Sequence, residues 1–442
     1  MSPCAGTSCL PLRPLSVTRR WRPRLESSVN PQSDITILSE AGMWRHYEAL
    51  LRVCRNRGVP VVQCRLNFTR RFAAAAAKLR PGGLFSCVGD LGRLLRLLVG
   101  SSRIVVAGIA PFGVWGVLLW WLRQRNRLVY HSSWIDWRRG RVPRNRNSRI
   151  LERVWGHTLS GVEAVGVTAK AVGELSDFGA DPIFIPHSVD IERFRPGPEN
   201  ASRARPAALF VGRLVPEKGV SLILEVAAHL HSEGVDVEFW FAGEGPLDKK
   251  LAESRDAGLP LTILGHLDAV GLADVYRKAE LLILPSVAKR GWEELFGIAL
   301  VEAFASGLPV IASDCVGPRE IVDPERTGLL IPQGDAQALE RAVKRLLADE
   351  PLRRKMAGEC RREAETVYSV EVVAARWTDV LDRTSRQRLG SDRAGGGGGA
   401  TPLCTCTCAC RPGTLPCGRQ RERLFSVSPF VVSRAGRGRL HV

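Results

Sequence analysis

At 442 residues the chain is too long for one ordinary domain, and its composition, 45% hydrophobic and 24% charged, is typical of a globular protein. The net charge of +18 is concentrated at the ends, since residues 1–33 contribute +4 and residues 386–442 contribute +8, so it is weak evidence for nucleic-acid binding. Five of the twelve cysteines lie in the last 40 residues, and residues 1–33 lack the apolar core of a secretory signal, which argues against a secreted disulfide framework and favours a reducing cytosol.

The first half alternates short apolar runs with helical patterns such as RHYEALLRVCRNRG and FGVWGVLLWWLRQR. Strands are predicted at Asp34–Leu38, Val59–Cys64, Ile104–Ile109, Leu128–His131 and Ala164–Val167. The stretch 104–122 is uncharged and about long enough to cross a bilayer. Because glycines and a proline interrupt it, a buried strand followed by an apolar helix is the favoured interpretation, and a membrane span is the alternative.

After residue 200 the alternation restarts, with ALFVGRL, VEFWFAGEG, LTILGHL, LLILPSV and PVIAS as strand candidates. Residues 195–206 are rich in Pro, Ser, Asn and Arg, as in an interdomain linker. Strands that alternate with helices predict parallel, doubly wound sheets, here in two Rossmann-like domains at 34–200 and 201–370. We expect residues 1–33 and the Gly/Cys/Arg-rich residues 386–442 to be disordered extensions.

The segment WEELFGIALVEAFASG, at 292–307, predicts a helix over about 298–306, because a glycine and then a proline follow it. The unpaired amides at its start, near Gly297, suit a phosphate or diphosphate. Glu294 lies in the preceding loop, and Glu302 lies one to two turns into the helix, where its carboxylate can accept two hydrogen bonds from a diol such as ribose. Taken alone, such a pair of glutamates is more often a helix-terminal charge and a partly exposed helix position.

Other motifs accompany this pair of glutamates: FVGRLVPEKG at 210–219, FAGEGPL at 241–247, ILGHL at 263–267, GPREIV at 317–322 and TGLLIP at 327–332. In this order, and with Glu294 and Glu302 in an E-x7-E pattern, the chain resembles the retaining nucleotide-sugar glycosyltransferases of family 4, also called group 1. The resemblance is dense over about 206–370. It implies the GT-B fold, in which two Rossmann-like domains face a cleft and a C-terminal helix, here about 371–385, crosses back to the first domain.

The resemblance implies that Arg213 and Lys218 bind the donor diphosphate and act in catalysis. Both flank a loop directly after a strand, at the edge where open α/β sheets bind ligands, although taken alone such a pair is more often two solvated loop charges. Two fixed cations would neutralise the departing diphosphate, so no metal or other cofactor is expected. Glu302 is expected to hold the ribose and Glu294 to contact the donor sugar. Backbone groups are expected to complete the donor site at Leu267, Phe296, Gly297 and Ile298.

In the first half the resemblance is weaker. Ala41-Gly42 stands where the family usually has a glycine pair against the diphosphate, so Gly42 is assigned to donor binding. His131, at the end of the LVYH strand, matches a histidine that lies against the donor sugar, and it joins the predicted catalytic residues. A lone histidine at a strand end is otherwise more often structural. His187-Ser188 replaces the family's usual Asn-Gly before the linker, which is expected to alter a turn more than the chemistry.

The implied reaction is transfer of a sugar from a nucleotide-sugar donor to a hydroxyl of a glycan or lipid-linked acceptor, with retention of the anomeric configuration. Residues 138–149 contain six arginines, and LGRLLRLLVGSSR pairs cationic with apolar positions. An anionic membrane surface is therefore a further candidate partner, with the protein in the cytoplasm and peripheral on the inner face of a membrane. Solvated helix faces and a flexible loop explain the same segments equally well. The alternatives are another GT-B enzyme, such as a nucleotide-sugar epimerase or hydrolase, and a non-catalytic membrane-associated binding protein.

Overall fold

Two parallel sheets of six strands each organise the part of the chain that the computed structural model describes, which is residues 34–40, 44–66, 81–100, 103–113, 115–135, 137, 149–197, 205–289 and 292–394. The chain divides into the units Met1–Asp392 and Arg393–Val442, and the features discussed below lie in the first. The predicted extension 1–33 lies outside the described residues, as do residues 395–442.

The first sheet contains β1 (Ile35–Ser39), β2 (Val61–Arg65), β3 (Ile104–Gly108), β4 (Arg127–Ser132), β5 (Glu163–Gly166) and β6 (Asp181–Phe184). Its order is β2-β1-β3-β4-β5-β6, and all pairs are parallel. The five predicted strands are confirmed to within two residues at each end. The sixth was not predicted, because its sequence DPIF has no buried residue and therefore no continuous apolar pattern.

The second sheet contains β7 (Ala207–Val211), β8 (Glu238–Ala242), β9 (Leu261–Gly265), β10 (Leu281–Leu284), β11 (Val310–Ser313) and β12 (Gly328–Ile331). Its order is β12-β11-β10-β7-β8-β9, again parallel throughout. Every residue of β10 and β11 is buried, as expected for strands covered on both faces. The strand order reverses between β7 and β10, and sheets of this kind bind ligands beyond the strand ends at such a point.

Helices cover both faces of each sheet: α1 (Glu48–Asn56), α2 (Pro81–Val99), α3 (Trp115–Arg125), α4 (Arg149–Leu159), α5 (Ala169–Asp177), α6 (Val220–Ser232), α7 (Asp248–Asp256), α8 (Ala269–Tyr276), α9 (Ile298–Ala305), α10 (Val316–Ile321), α11 (Ala336–Ala348), α12 (Glu350–Glu363) and α13 (Val370–Ala394). Side-chain caps start several of them. Asp268 accepts from the amide of Gly271 at 2.8 Å before α8, and Asp335 accepts from the amide of Ala338 at 2.8 Å before α11.

The last helix, α13, returns to the first domain, as predicted. Four of its residues are buried in the apolar core that covers one face of the first sheet: Val373, Trp377, Val380 and Leu381. Polar contacts fix the same helix, since Arg57 Nη1 lies 2.9 Å from Asp382 Oδ1 and the Thr384 hydroxyl donates to the Glu163 carboxylate. The helix therefore joins the two domains through packing as well as through the chain.

The uncharged stretch 104–122 folds as β3 followed by α3, with a turn at Phe112, whose φ is 56°. In the described part of the chain no helix is long and apolar enough to cross a membrane. The strand-and-helix interpretation of this stretch is therefore confirmed.

Candidate active site

A cavity of about 550 Å³ lies in the cleft between the carboxyl edges of the two sheets. The first domain contributes residues that follow β1, β4 and β6, and the second contributes residues that follow β7 and β10 together with the start of α9. The loops after β7 and β10 flank the point where the second sheet reverses its strand order. The cavity therefore has the position expected of a ligand site in a doubly wound fold.

Two cations border the cavity after β7. The Arg213 side chain is 66% exposed, and its Nη2 lies 4.0 Å from Glu217 Oε1. Lys218 is more enclosed: its ammonium binds the Glu294 carboxylate and lies 5.5 Å from the centre of the Trp292 ring. One cation is thus available to a ligand directly, and the other is held by an internal carboxylate.

The loops after β7 and β10 meet because Gly219 permits it. Its φ is 76°, and a Cβ there would lie 2.0 Å from the Pro285 carbonyl oxygen, so another residue would clash. This contact brings the Lys218 ammonium to Glu294, which is only 7% exposed and also accepts from Ser286 Oγ at 3.1 Å. The buried carboxylate is therefore paired with a cation and a hydroxyl, as burial of a charge requires.

The helix α9 begins at the cavity, and Gly297 before it has a φ of 86°, a conformation that favours glycine. Glu302 lies just over one turn into α9 and is 2% exposed. Its Oε2 accepts from the Tyr276 hydroxyl at 3.1 Å, and its Oε1 accepts from Arg45. Burial raises the pKa of Tyr276, so its hydroxyl stays protonated as a donor. These partners explain how an otherwise apolar helix accommodates a carboxylate.

Arg45 and Glu302 mark the border between two cavities. A second cavity of about 570 Å³ is lined by α1, by residues 188–190 and 193–194 and by the start of α8, and both members of the pair, with Ile298, line both cavities. Arg45 comes from the first domain and Glu302 from the second, so the pair also bridges the cleft. A ligand that binds Oε1 of Glu302 therefore competes with Arg45 for that oxygen.

Three histidines gather on the first domain's side of the cleft. Burial and the nearby His46 lower the pKa of His131 to about 3, and burial and Arg45 lower that of His46 to about 4. Both rings are therefore neutral near pH 7. His46 and His187 line the first cavity, whereas His131 packs behind it, with its ring 5.9 Å from His187 and 6.0 Å from Trp377.

The cavity brings together most of the predicted donor-site residues: Arg213, Lys218, Glu294, Phe296, Gly297, Ile298 and Glu302. Leu267 precedes α8, packs against the core of the second domain and lines neither cavity. Gly42 and residues 138–148 of the arginine-rich segment lie outside the described residues. The roles of all these residues stay predictions.

Six residues around these groups were not predicted: Arg45, His46, His187, Tyr276, Ser286 and Trp292. His187 and Ser286 follow strands, and this position in a parallel sheet is a usable signal. Arg45 and Tyr276 lie in helical patterns, where nothing in the sequence separates them from ordinary surface and core residues. Their contact with Glu302 depends on how the two domains meet.

One group of metal-ligand type occurs in the described part of the chain, at His229, Glu233 and Glu340. The Lys344 ammonium bonds both glutamates, and His229 Nδ1 lies 2.7 Å from Glu340 Oε2. A lysine thus already supplies the positive charge at this surface cluster. None of these residues lines either cavity.

Residues 193–363 match the family described as "Glycosyl transferases group 1". A phosphatidyl-myo-inositol mannosyltransferase from Mycobacterium leprae is 32% identical over 228 residues, which cover 50% of this chain and 59% of that protein. An alpha-D-kanosaminyltransferase from Streptomyces kanamyceticus is 35% identical over 156 residues, which cover 35% of this chain and 39% of that protein. The matched region thus spans 59% or less of these two relatives.

Solved structures share the architecture. Sucrose-phosphate synthase from Thermosynechococcus elongatus superposes with a TM-score of 0.60 at 20% identity, covering 81% of this chain and 100% of that one. Anabaena HepE in complex with UDP superposes with a TM-score of 0.57 at 16% identity, covering 79% of this chain and 100% of that one. At such identities the likeness concerns the fold, and it confirms the predicted GT-B arrangement.

Proposed function

Residues 193–363 form a domain of the group 1 glycosyltransferase family, and from this premise we propose that the chain transfers a sugar from a nucleotide-sugar donor to an acceptor hydroxyl with retention of the anomeric configuration. Four charged side chains from distant segments support the proposal by bordering one cavity at the reversal point of the second sheet: Arg213, Lys218, Glu294 and Glu302. Cations and a helix N-terminus suit a diphosphate, and carboxylates suit the hydroxyls of ribose and sugar.

The donor is proposed to lie along the cleft across both cavities. Its diphosphate takes the place between Arg213, Lys218 and the start of α9, and its sugar lies against Glu294 in the first cavity. Its ribose binds Glu302 at the border of the two cavities, and its base extends into the second. The start of α8, two residues after Leu267, lines that second cavity, which supports placing the base there.

Two ion pairs occupy the carboxylates that this donor would use. Arg45 holds Glu302, and Lys218 holds Glu294. On donor binding, the ribose hydroxyls would replace Arg45, and the Lys218 ammonium, which has three donors, would bind the diphosphate while it keeps Glu294. The freed Arg45 stays within the cavity that holds the diphosphate, so the exchange retains favourable electrostatics.

In the reaction we propose, the bond between the anomeric carbon and the diphosphate oxygen breaks, and its electron pair leaves with the diphosphate. The acceptor oxygen attacks the same face of the sugar, and its proton passes to the departing phosphate oxygen. Glu294 is engaged by Lys218 and Ser286, so it serves to position the sugar rather than as a nucleophile. Arg213 and Lys218 stabilise the developing negative charge, and the proposal needs no metal.

The direct test is release of nucleoside diphosphate from a panel of UDP-, GDP- and ADP-sugars, with and without candidate acceptors. A transferase releases nucleotide with at least one donor, and release accelerates with the acceptor and persists in a chelator. Acceptor-independent release identifies a hydrolase, and a changed sugar configuration identifies an epimerase. If no donor is bound or consumed, the chain is a non-catalytic binding protein and the proposal is wrong.

The acceptor is proposed to be lipid-linked, with an anionic membrane as the surface on which the protein works. The apolar patch of α2 and α3 supports this proposal; it consists of the exposed residues Val88, Leu91, Leu95, Val99, Val117, Trp120 and Trp121. The two helices are adjacent, since Trp121 Nε1 donates to the Leu98 carbonyl at 3.3 Å, and Arg93, Arg96 and Arg125 are exposed on them. Apolar and cationic side chains on one surface suit an anionic bilayer.

A further inference from the structure

Two histidines from distant parts of the chain form a pair in the wall of the first cavity. His46 belongs to the 3-10 turn Trp44–Tyr47, His187 follows β6, and their ring centroids lie 4.2 Å apart. The Phe296 ring stands edge-on to His187 at 4.8 Å, so the pair also contacts the second domain. Neutral rings from one domain thus share a cavity with the cations of the other.

Each of these rings has a nitrogen without a hydrogen-bond partner among the described residues. The Nδ1 atoms of His46 and His187 are buried and unpaired, and His187 as a whole is 2% exposed. Leaving a buried polar atom unpaired costs about 1–3 kcal/mol. A ligand in this cavity that supplies the missing partner recovers that free energy.

The charge of His187 restricts the chemistry of such a ligand. Burial, together with His46 and His131, holds the pKa of His187 well below its ordinary value, so the ring is neutral. In a neutral imidazole one nitrogen carries the hydrogen and the other a lone pair. A sugar hydroxyl both donates and accepts, so it can pair with Nδ1 in either tautomer, whereas an ionised phosphate oxygen can only accept.

We propose that His187 binds a hydroxyl group of the donor's sugar through Nδ1, with the ring of His46 holding it in place. This inference rests on the proposed function and adds a sugar-binding residue from the first domain to the charged residues of the second. From sequence, His187-Ser188 was expected to alter mainly a turn. The geometry instead assigns His187 to the substrate, with the phosphates toward Arg213 and Lys218.

Two matched variants test this assignment. His187→Phe keeps the ring and its contact with Phe296 but removes both nitrogens, and His187→Asn keeps a polar atom near the position of Nδ1. Calorimetry gives the affinity of each for the nucleoside diphosphate and the nucleotide sugar that the wild type binds most tightly among UDP, GDP and ADP compounds. We expect His187→Phe to lose about tenfold in nucleotide-sugar affinity, with nucleoside diphosphate affinity within about twofold, and His187→Asn to retain most of both.

An equal loss for both ligands means a structural role and overturns the inference, and so does an unchanged preference for the nucleotide sugar. If His187→Phe does not fold, His187→Gln replaces it, because its longer amide reaches the position of Nε2 rather than Nδ1. His187→Asn then keeps the preference and His187→Gln loses it. A wild type that binds none of the nucleotides overturns the proposed function, whereas nucleotide binding with an unaltered preference in the variants overturns only this inference.

Discussion

The two domains present different chemistry to the same cavity. The second domain contributes paired charges, with Lys218 on Glu294 and the exposed Arg213 nearby, from loops on either side of one reversal point in its sheet. The first domain contributes the neutral rings of His46 and His187. This contrast suggests a division of labour in which the second domain binds the charged nucleotide and the neutral rings of the first domain add contacts to the sugar that lies against Glu294.

The largest effect is expected when the cations of the second domain are removed. Arg213→Ala and Lys218→Ala should each lower the rate of sugar transfer by about 10²–10³-fold, because each removes a cation that stabilises the departing diphosphate. Arg213→Ala should unfold at a temperature close to that of the wild type, since Arg213 is mostly exposed, whereas Lys218→Ala should unfold at a lower temperature, since it leaves the buried Glu294 carboxylate without its cation. Steady-state kinetics with the best donor of the panel measures the loss.

Lys249→Ala is the matched control, because Lys249 is an 88% exposed lysine of the same domain that pairs with Glu253 in its own helix. Its transfer rate should equal that of the wild type. Unchanged turnover in Arg213→Ala or Lys218→Ala removes the assignment of the diphosphate to these two residues.

In the first domain, the buried neutral imidazoles should make the folded state less stable at acidic pH. The unfolded chain protonates its histidines below about pH 6.5, whereas folded His131 and His46 resist protonation until about pH 3 and 4. Stability is therefore full above pH 6.5 and falls as the pH is lowered, by about 2 kcal/mol for His131 at pH 5. Among the described residues, the charged or titratable groups beside the rings of His46 and His131 are Arg45, Tyr47 and His187.

Thermal unfolding of the wild type and of His131→Phe at pH 7.5 and pH 5.0 measures this effect. The wild type should lose several degrees more than the variant, since the variant has no imidazole to protonate at that position. An equal loss in both proteins contradicts the account of a neutral, buried His131.

A smaller effect is expected from a substitution at the carboxylates of the second domain. Glu302→Gln should weaken nucleoside diphosphate binding by about tenfold, because an amide is uncharged and offers one oxygen where the carboxylate offers one to each of the two ribose hydroxyls. Glu293→Gln is the neighbouring control: its side-chain oxygen accepts from the Val316 amide at 2.9 Å, which an amide oxygen also does. If Glu293→Gln loses as much nucleoside diphosphate affinity as Glu302→Gln, Glu302 is not the residue that binds the ribose.

The sequence predicted the fold better than it predicted the first domain's share of the cleft. Continuous apolar runs such as LLIL and VIAS predict buried strands. The donor-site residues of the second domain lie in short motifs beside such strands. His46 and His187 are 141 positions apart in the chain and follow strands that are not neighbours in the first sheet, so the sequence pattern does not reveal their contact. The contact of Arg45 with Glu302 joins two domains, so no local pattern reveals it.

The smallest expected effect concerns the apolar patch on the first domain. Trp120→Ala with Trp121→Ala should lower co-sedimentation with anionic liposomes several-fold and leave binding of nucleoside diphosphate unchanged, since both rings are exposed and far in sequence from the charged site. Val270→Ala, which truncates a 63% exposed apolar residue of the second domain, is the control. Equal liposome binding by the wild type and the double variant removes the patch from the membrane proposal.

The division of labour between the domains is tested most directly by titrating the full chain with the nucleoside diphosphate that it binds best. Calorimetry compares the wild type, Lys218→Ala and His187→Phe under the same conditions. We predict that Lys218→Ala loses at least about tenfold in affinity while His187→Phe stays within about twofold of the wild type. If Lys218→Ala binds like the wild type, or if His187→Phe loses as much as Lys218→Ala, the nucleotide is not held by the second domain in the way proposed here.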